Sequence, residues 1–149
     1  VLRNVPSGGA RHSFETYLLL RKITGLESGL YRYLPLTHHL ACLHAMAEIE
    51  PVLQGKEAAT GWIGEAAALF MWTSLPYRSE WRYTIVAARL IALDAGHVCQ
   101  NLYLACEAIN AGMCAIGAYN QQEMDEILEV DGEDEFTVYC ATVGKKKDP

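Results

Sequence analysis

The chain has 149 residues, 51% of them hydrophobic and 20% charged, with a formal net charge of −6. That length suits one domain, residues 1–149, with a real core, and the hydrophobic share excludes a disordered chain. The acidic balance leaves no basic face for a nucleic-acid partner.

The chain opens on "NVPSGGARHS", residues 4–13, where two glycines follow a Pro-Ser pair and Arg11-His12 comes straight after. Such a segment is a turn, or a loop that lets a ligand approach the backbone. Thr16 to Ile23 reads as a strand and Leu30 to Leu34 as a second one. The glycine-bounded "GLESG" between them suggests a hairpin. "THHLACLHAMAEI" shows helical spacing through Leu40, Leu43, Met46 and Ala47, with Pro51 as its stop. Gln54 to Gly61 reads as a surface connection. Ala66 to Thr73 is a short apolar run closed by Pro76, and the expectation is a strand.

From Arg78 to Ala111 the pattern is helical. Ile91, Ala95, Val98, Leu102, Ala105 and Ile109 form one stripe, and Gly112 is the expected C-terminal cap. The stretch from Tyr83 to Ile109 is apolar but interrupted by Arg89, Asp94, His97 and Glu107, so it reads as a buried helix and not a membrane span. "CAIGAY" is a short strand or extended turn. "NQQEMDEILEV" is a helix with Asn120 as N-cap and Glu123 three residues on. "EFTVYCATVG" is the last strand, before a basic tail.

Five cysteines without framework spacing predict free thiols and a reducing, cytoplasmic setting. His38 and Cys42 would share a helix face and suit zinc, but no second ligand cluster accompanies them, so no metal is expected.

"PSGGARHSFETYLLL", "GLYRYLPLTHHL", "ALDAGHVCQNLYLACEAINAGMCAIGAYN" and "YCATVG" together resemble the nitroreductase-like flavoprotein superfamily, in its SagB-type dehydrogenase branch. The resemblance covers Pro6 to Gly144. It implies an α+β fold with a mixed sheet flanked by helices and a long central helix, residues 82–111, at a homodimer interface. It also implies FMN held between subunits, NAD(P)H or a reduced substrate as hydride donor, and a small-molecule or modified-peptide substrate. Relatives usually begin with an arginine-rich helix, and Val1 stands after that point.

By the same resemblance Pro6, Ser7, Gly8, Gly9 and Arg11 would line the flavin. Backbone N–H groups near Ile116 and Gly117 would face its N5, and Lys145 or Lys146 would reach its phosphate. Related azoline dehydrogenases carry Lys-Tyr where this chain has Arg82-Tyr83. Arginine stays charged, so Arg82 binds an anion or a developing oxyanion, while the Tyr83 phenol can move a proton. Trp62, Trp72, Tyr77 and Trp81 would cover the flavin or pack core and interface. The alternative is a dimeric module of the same fold that has lost flavin binding.

Overall fold

The computed structural model describes residues 3–56, 61, 64 and 66–146. Strands β1 (Phe14–Leu20) and β2 (Gly29–Leu34) pair antiparallel from Tyr17↔Arg32 to Leu20↔Gly29, as the glycine-bounded turn predicts. The next segment departs from expectation. His39–Ala45 is strand β3, paired with β2 from Leu34↔His39 to Gly29↔Ala45, and the helix α1 (Met46–Leu53) starts only behind it. The register slips between Leu30↔His44 and Tyr31↔Cys42. Leu43 is therefore an extra residue, and this bulge erases the period-two alternation that marks a strand. Pro51 lies inside α1 and does not end it. The Glu48 carboxylate accepts the Ala45 N–H at 2.9 Å and starts the helix there.

β4 (Ala68–Ser74) runs as expected, and α2 (Tyr77–Tyr83) and α3 (Ala87–Ala108) follow. The single helix expected over residues 78–111 is broken at Thr84, with φ 45° and ψ −125°. Three consecutive β-branched residues, Thr84, Ile85 and Val86, stand at the break, where such side chains crowd a helical turn. α3 also stops short of Gly112. Asn110 takes the left-handed conformation at φ 54°, which asparagine tolerates, and Gly112 belongs to β5 (Ala111–Ile116). α4 (Gln121–Leu128) begins as its sequence predicts, with the Asn120 side chain accepting the Glu123 N–H at 3.2 Å. β6 (Phe136–Lys145) completes the chain's sheet.

Among the described residues the strand order is β3-β2-β1-β4-β6-β5, and all five pairings are antiparallel. The α+β class stands; the mixture lies in helix and strand, not in strand direction. Side-chain alternation on β4 divides the core between two faces. Leu69 and Met71 pack with Ile49 of α1 and Met124, Ile127 and Leu128 of α4. Trp72 points the other way, onto Cys99 of α3, with Phe70, Val98, Leu102 and Tyr139 around it. The stripe on α3 thus turns its first half inward: Ile91 and Ala95 are buried, while Ile109 is 74% exposed. Leu93 and Leu104 of α3 remain exposed on another face.

Tyr17 links β1 to the loop before β6 by donating to the Glu135 carboxylate at 3.1 Å. Burial, then the Glu135 charge, pushes its phenol up to about 12, against the opposing pull of Arg32. The unfolded phenol loses its proton near pH ~10. The folded chain therefore binds more protons above that value, and this share of stability falls as pH rises toward 12. Urea midpoints for Tyr17→Phe should fall less steeply than wild type between about pH 10 and about pH 12. Equal slopes would remove Tyr17 from the alkaline transition.

Candidate functional site

The glycine-rich segment forms one 3₁₀ turn, Gly8–Ala10, before β1. Gly9 sits at φ 59°, where glycine carries no Cβ penalty, and a Cβ there would lie 2.1 Å from the Tyr83 hydroxyl. The turn is held from several sides. Gly8 N–H donates to both carboxylate oxygens of Asp94 on α3, each at 3.0 Å. His12 N–H donates to Ser7 Oγ at 2.9 Å, and Arg11 Nε to the Gly9 carbonyl at 2.9 Å. Upstream, Asn101 Nδ2 donates to the Asn4 carbonyl at 3.2 Å. The Arg11 guanidinium lies over the Trp81 ring, 5.0 Å from its centroid.

Behind the turn, the nearly buried Glu15 carboxylate accepts from Arg78 at 2.6 Å and pairs with Arg32 at 3.0 Å. Arg78 also donates to the His12 carbonyl, which ties α2 to the turn. Burial and the Arg3 charge hold the His12 imidazole below its ordinary value, against the upward pull of Asp94.

A cavity of about 590 Å³ opens beside this turn, between α3 and the face formed by β1, β2 and β4. Phe14, Leu18, Phe70, Trp72 and Leu102 supply apolar walls, with Pro6 and Ser7 of the opening segment and Asp94 and Asn101 of α3 also lining it. The expected site residues Gly8, Gly9, Arg11, Arg82 and Tyr83 do not line this cavity: Tyr83 packs on Gly9, and the Arg82 guanidinium lies 5.6 Å from the Tyr83 ring. Asp94, Asn101, Glu15 and Arg78 are the residues for which the sequence suggested no role. Asp94 and Asn101 belong to the "DAGHVCQNL" run, so the signal was present without its meaning.

The other expected residues lie elsewhere in the chain. Ile116 pairs with Cys140, and a Cβ on Gly117 would approach the Tyr139 ring at 3.9 Å. Lys145 pairs with Ala111 at the opposite end of β5, five residues away along the strand. Five residues of strand span about 17 Å. Lys146 donates to the Glu107 carboxylate at 2.7 Å. Among the described residues no hydrogen bond or ion pair joins these groups to residues 6–11.

The zinc idea loses its geometry, because His38 lies in a turn bonded to Tyr33 and Cys42 lies on β3. Among the described residues no cluster of three or more His, Cys, Asp or Glu could hold a metal. Trp72 is core, while Tyr77 and Trp81 are exposed. Trp62 and Lys147 lie outside the described residues, as do residues 57–60 of the expected connection. Among the described residues no helix is long and apolar enough to cross a membrane.

A sequence model of the Nitroreductase family matches residues 1–145. A Methanocaldococcus jannaschii protein named as a nitroreductase is 28% identical over 144 residues, covering 97% of this chain and 71% of its own. The trifolitoxin-processing protein TfxB of Rhizobium leguminosarum bv. trifolii is 27% identical over 136 residues. That match covers 85% of this chain and 35% of TfxB. A crystal structure of a nitroreductase from Anabaena variabilis superposes with TM-score 0.85 at 28% identity, over 95% of this chain and 29% of that one. The Escherichia coli microcin synthetase McbBCD complex shares the fold, with TM-score 0.81 at 18% identity over 99% of this chain and 57% of that one.

Proposed function

Because the chain belongs to the Nitroreductase family, we propose that it is an FMN-dependent oxidoreductase acting as a homodimer. It would pass hydride between NAD(P)H or a reduced substrate and an organic acceptor. The observation that carries this reading is the turn at Gly9. Its positive φ and missing Cβ let Tyr83 pack against the turn, which carries Pro6 and Ser7 to the edge of a cavity walled by Phe14, Phe70 and Trp72, and that cavity suits a flat ring.

The residues present fit the cofactor as two half-sites. Pro6, Ser7, Gly8, Gly9 and Arg11 would hold the ring from one copy. Ile116 and Gly117 would offer backbone N–H groups from the second copy, with Lys145 and Lys146 at the phosphate. When bound, FMN supplies the atom that takes up and gives out hydride. The chain's own residues bind and orient. The turn's backbone fixes the ring plane, the apolar walls exclude water, and Arg82 holds a nearby anion. Tyr83 braces the turn through Gly9, and its phenol would move a proton for a substrate seated against that turn.

The similarity to a toxin-processing protein favours a modified peptide as a second substrate reading. Arg82, in place of the lysine of azoline dehydrogenases, weakens it. The five free cysteines suit a reducing cytoplasm.

The test is an FMN and riboflavin titration by fluorescence, followed by anaerobic bleaching with NADH or NADPH. Wild type should bind FMN and bleach. Lys145→Ala/Lys146→Ala should weaken FMN binding roughly tenfold more than riboflavin, which lacks the phosphate. A wild type that binds no flavin would instead be the non-catalytic module.

The dimer has its own test. Leu93 and Leu104 stand eleven residues apart, three turns of α3, and both are more than half exposed. Exposed apolar sets of this kind mark interfaces. Leu93→Glu/Leu104→Glu should give a monomer by light scattering and release FMN. A wild type that is already monomeric at micromolar concentration would overturn the shared site.

A further inference from the structure

Two of the four sequence runs that carry the family resemblance, the opening one and the one on α3, touch each other, and the contact has a regular geometry. Asp94 and Asn101 are seven residues apart on α3, two turns, so both face the same side about 10.5 Å apart along the axis. Their partners, Gly8 N–H and the Asn4 carbonyl, are four residues apart on the opening segment. Four extended residues reach about 13–14 Å, enough to lie along those two turns. One helix face thus accepts a backbone donor at one end of the segment and donates to a backbone acceptor at the other.

Asp94 is 5% exposed and gives both oxygens to a single N–H. Apart from that bond, its nearest ionic neighbour is His97 Nδ1, at 4.0 Å. A buried carboxylate committed to one backbone amide is a strong, charge-assisted tether.

We infer that Asp94, aided by Asn101, is the positioning residue of the ligand loop: through the Gly8 N–H it sets the 3₁₀ turn and with it the place of Ser7 at the edge of the cavity. This rests on the flavin reading for its functional consequence, but the tether itself does not. Asp94 holds the loop backbone and also lines the cavity, so Gly8→Pro, which leaves Asp94 in place, isolates the tether from any direct contact.

The donor can be deleted without touching Asp94. Gly8 is the first residue of the turn, and Ser7 before it is extended at φ −148° and ψ 139°. A proline is accepted at such a first position, and the extended residue before it is the conformation proline requires. A Cβ at Gly8 would meet Leu90 at 3.3 Å, so Gly8→Ala serves as the control that keeps the N–H.

The experiment compares FMN dissociation constants for wild type, Asp94→Ala, Asp94→Asn, Gly8→Ala, Gly8→Pro and Asp94→Ala/Gly8→Pro. In the flavin-free proteins, amide hydrogen exchange over residues 8–12 is followed in parallel. Asp94→Ala and Gly8→Pro should each weaken FMN binding about 10- to 100-fold. The double variant should be no weaker than the worse single one, because both remove the same bond. Asp94→Asn keeps an acceptor and should recover most of the affinity. Additive losses, or full FMN affinity in folded Asp94→Ala, would overturn the inference. Should wild type bind no FMN, the flavin reading falls while the tether remains testable. Loop amides of flavin-free Asp94→Ala should then exchange faster than wild type, and unchanged exchange would overturn it.

Discussion

Gly9→Val is expected to leave a folded chain that no longer binds FMN. The position has φ 59°, which a β-branched residue adopts only under strain. Holding such a residue there costs about 1–3 kcal/mol. In addition, the first added carbon would stand 2.1 Å from the Tyr83 hydroxyl and 3.0 Å from the carbon bearing it. Tyr83 or the turn must therefore move. The turn is an exposed-to-intermediate surface segment outside the core clusters, so the sheet should survive. Circular dichroism and thermal melting would check folding, and an FMN fluorescence titration would check the site. Tyr83→Phe in the same chain removes the nearest atom and should restore part of the binding. Wild-type FMN affinity in folded Gly9→Val would reduce residues 6–12 to an ordinary turn.

Trp72→Ala is expected to lower stability by about 3–5 kcal/mol, the range for deleting a large buried aromatic. Trp72 is 2% exposed and packs with Cys99 of α3 and Ala141 of β6. Its ring lies 6.3 Å from Phe70 and 6.2 Å from Tyr139, centroid to centroid. Trp72 belongs to the cluster that brings β4, β6 and α3 together, and it also walls the cavity. A loss of this size is a large fraction of a typical net stability of about 5–15 kcal/mol. Urea denaturation gives the difference directly. A loss below about 1 kcal/mol would mean that α3 is held to the sheet by other contacts.

Several elements were legible because their signals are local. The glycine-bounded turn between β1 and β2, the short apolar run of β4, and Asn120 with Glu123 at the start of α4 each predicted what stands there. The resemblance carried by "PSGGARHS" and "DAGHVCQNL" likewise pointed to the right family. Where the reading failed, a non-local contact had overruled a local pattern. Leu40, Leu43 and Met46 have helical spacing, yet pairing with β2 and a bulge at Leu43 make the segment an edge strand. The glycine expected to cap α3 is instead paired with Gly144.

The sequence by itself thus determined the α+β class and the sites of most strands and helices. Periodicity and capping act over a few residues, so one strip of chain contains them. Only the tertiary structure decided that Asp94 holds Gly8, 86 residues away, and that Glu15 is shared between Arg32 and Arg78. It alone set Lys145 at the far end of β5 from Ile116. Those relations depend on strand register and on which face of α3 meets the sheet. Both are chosen by the whole core at once, because a one-residue slip in a strand turns every side chain to the other side.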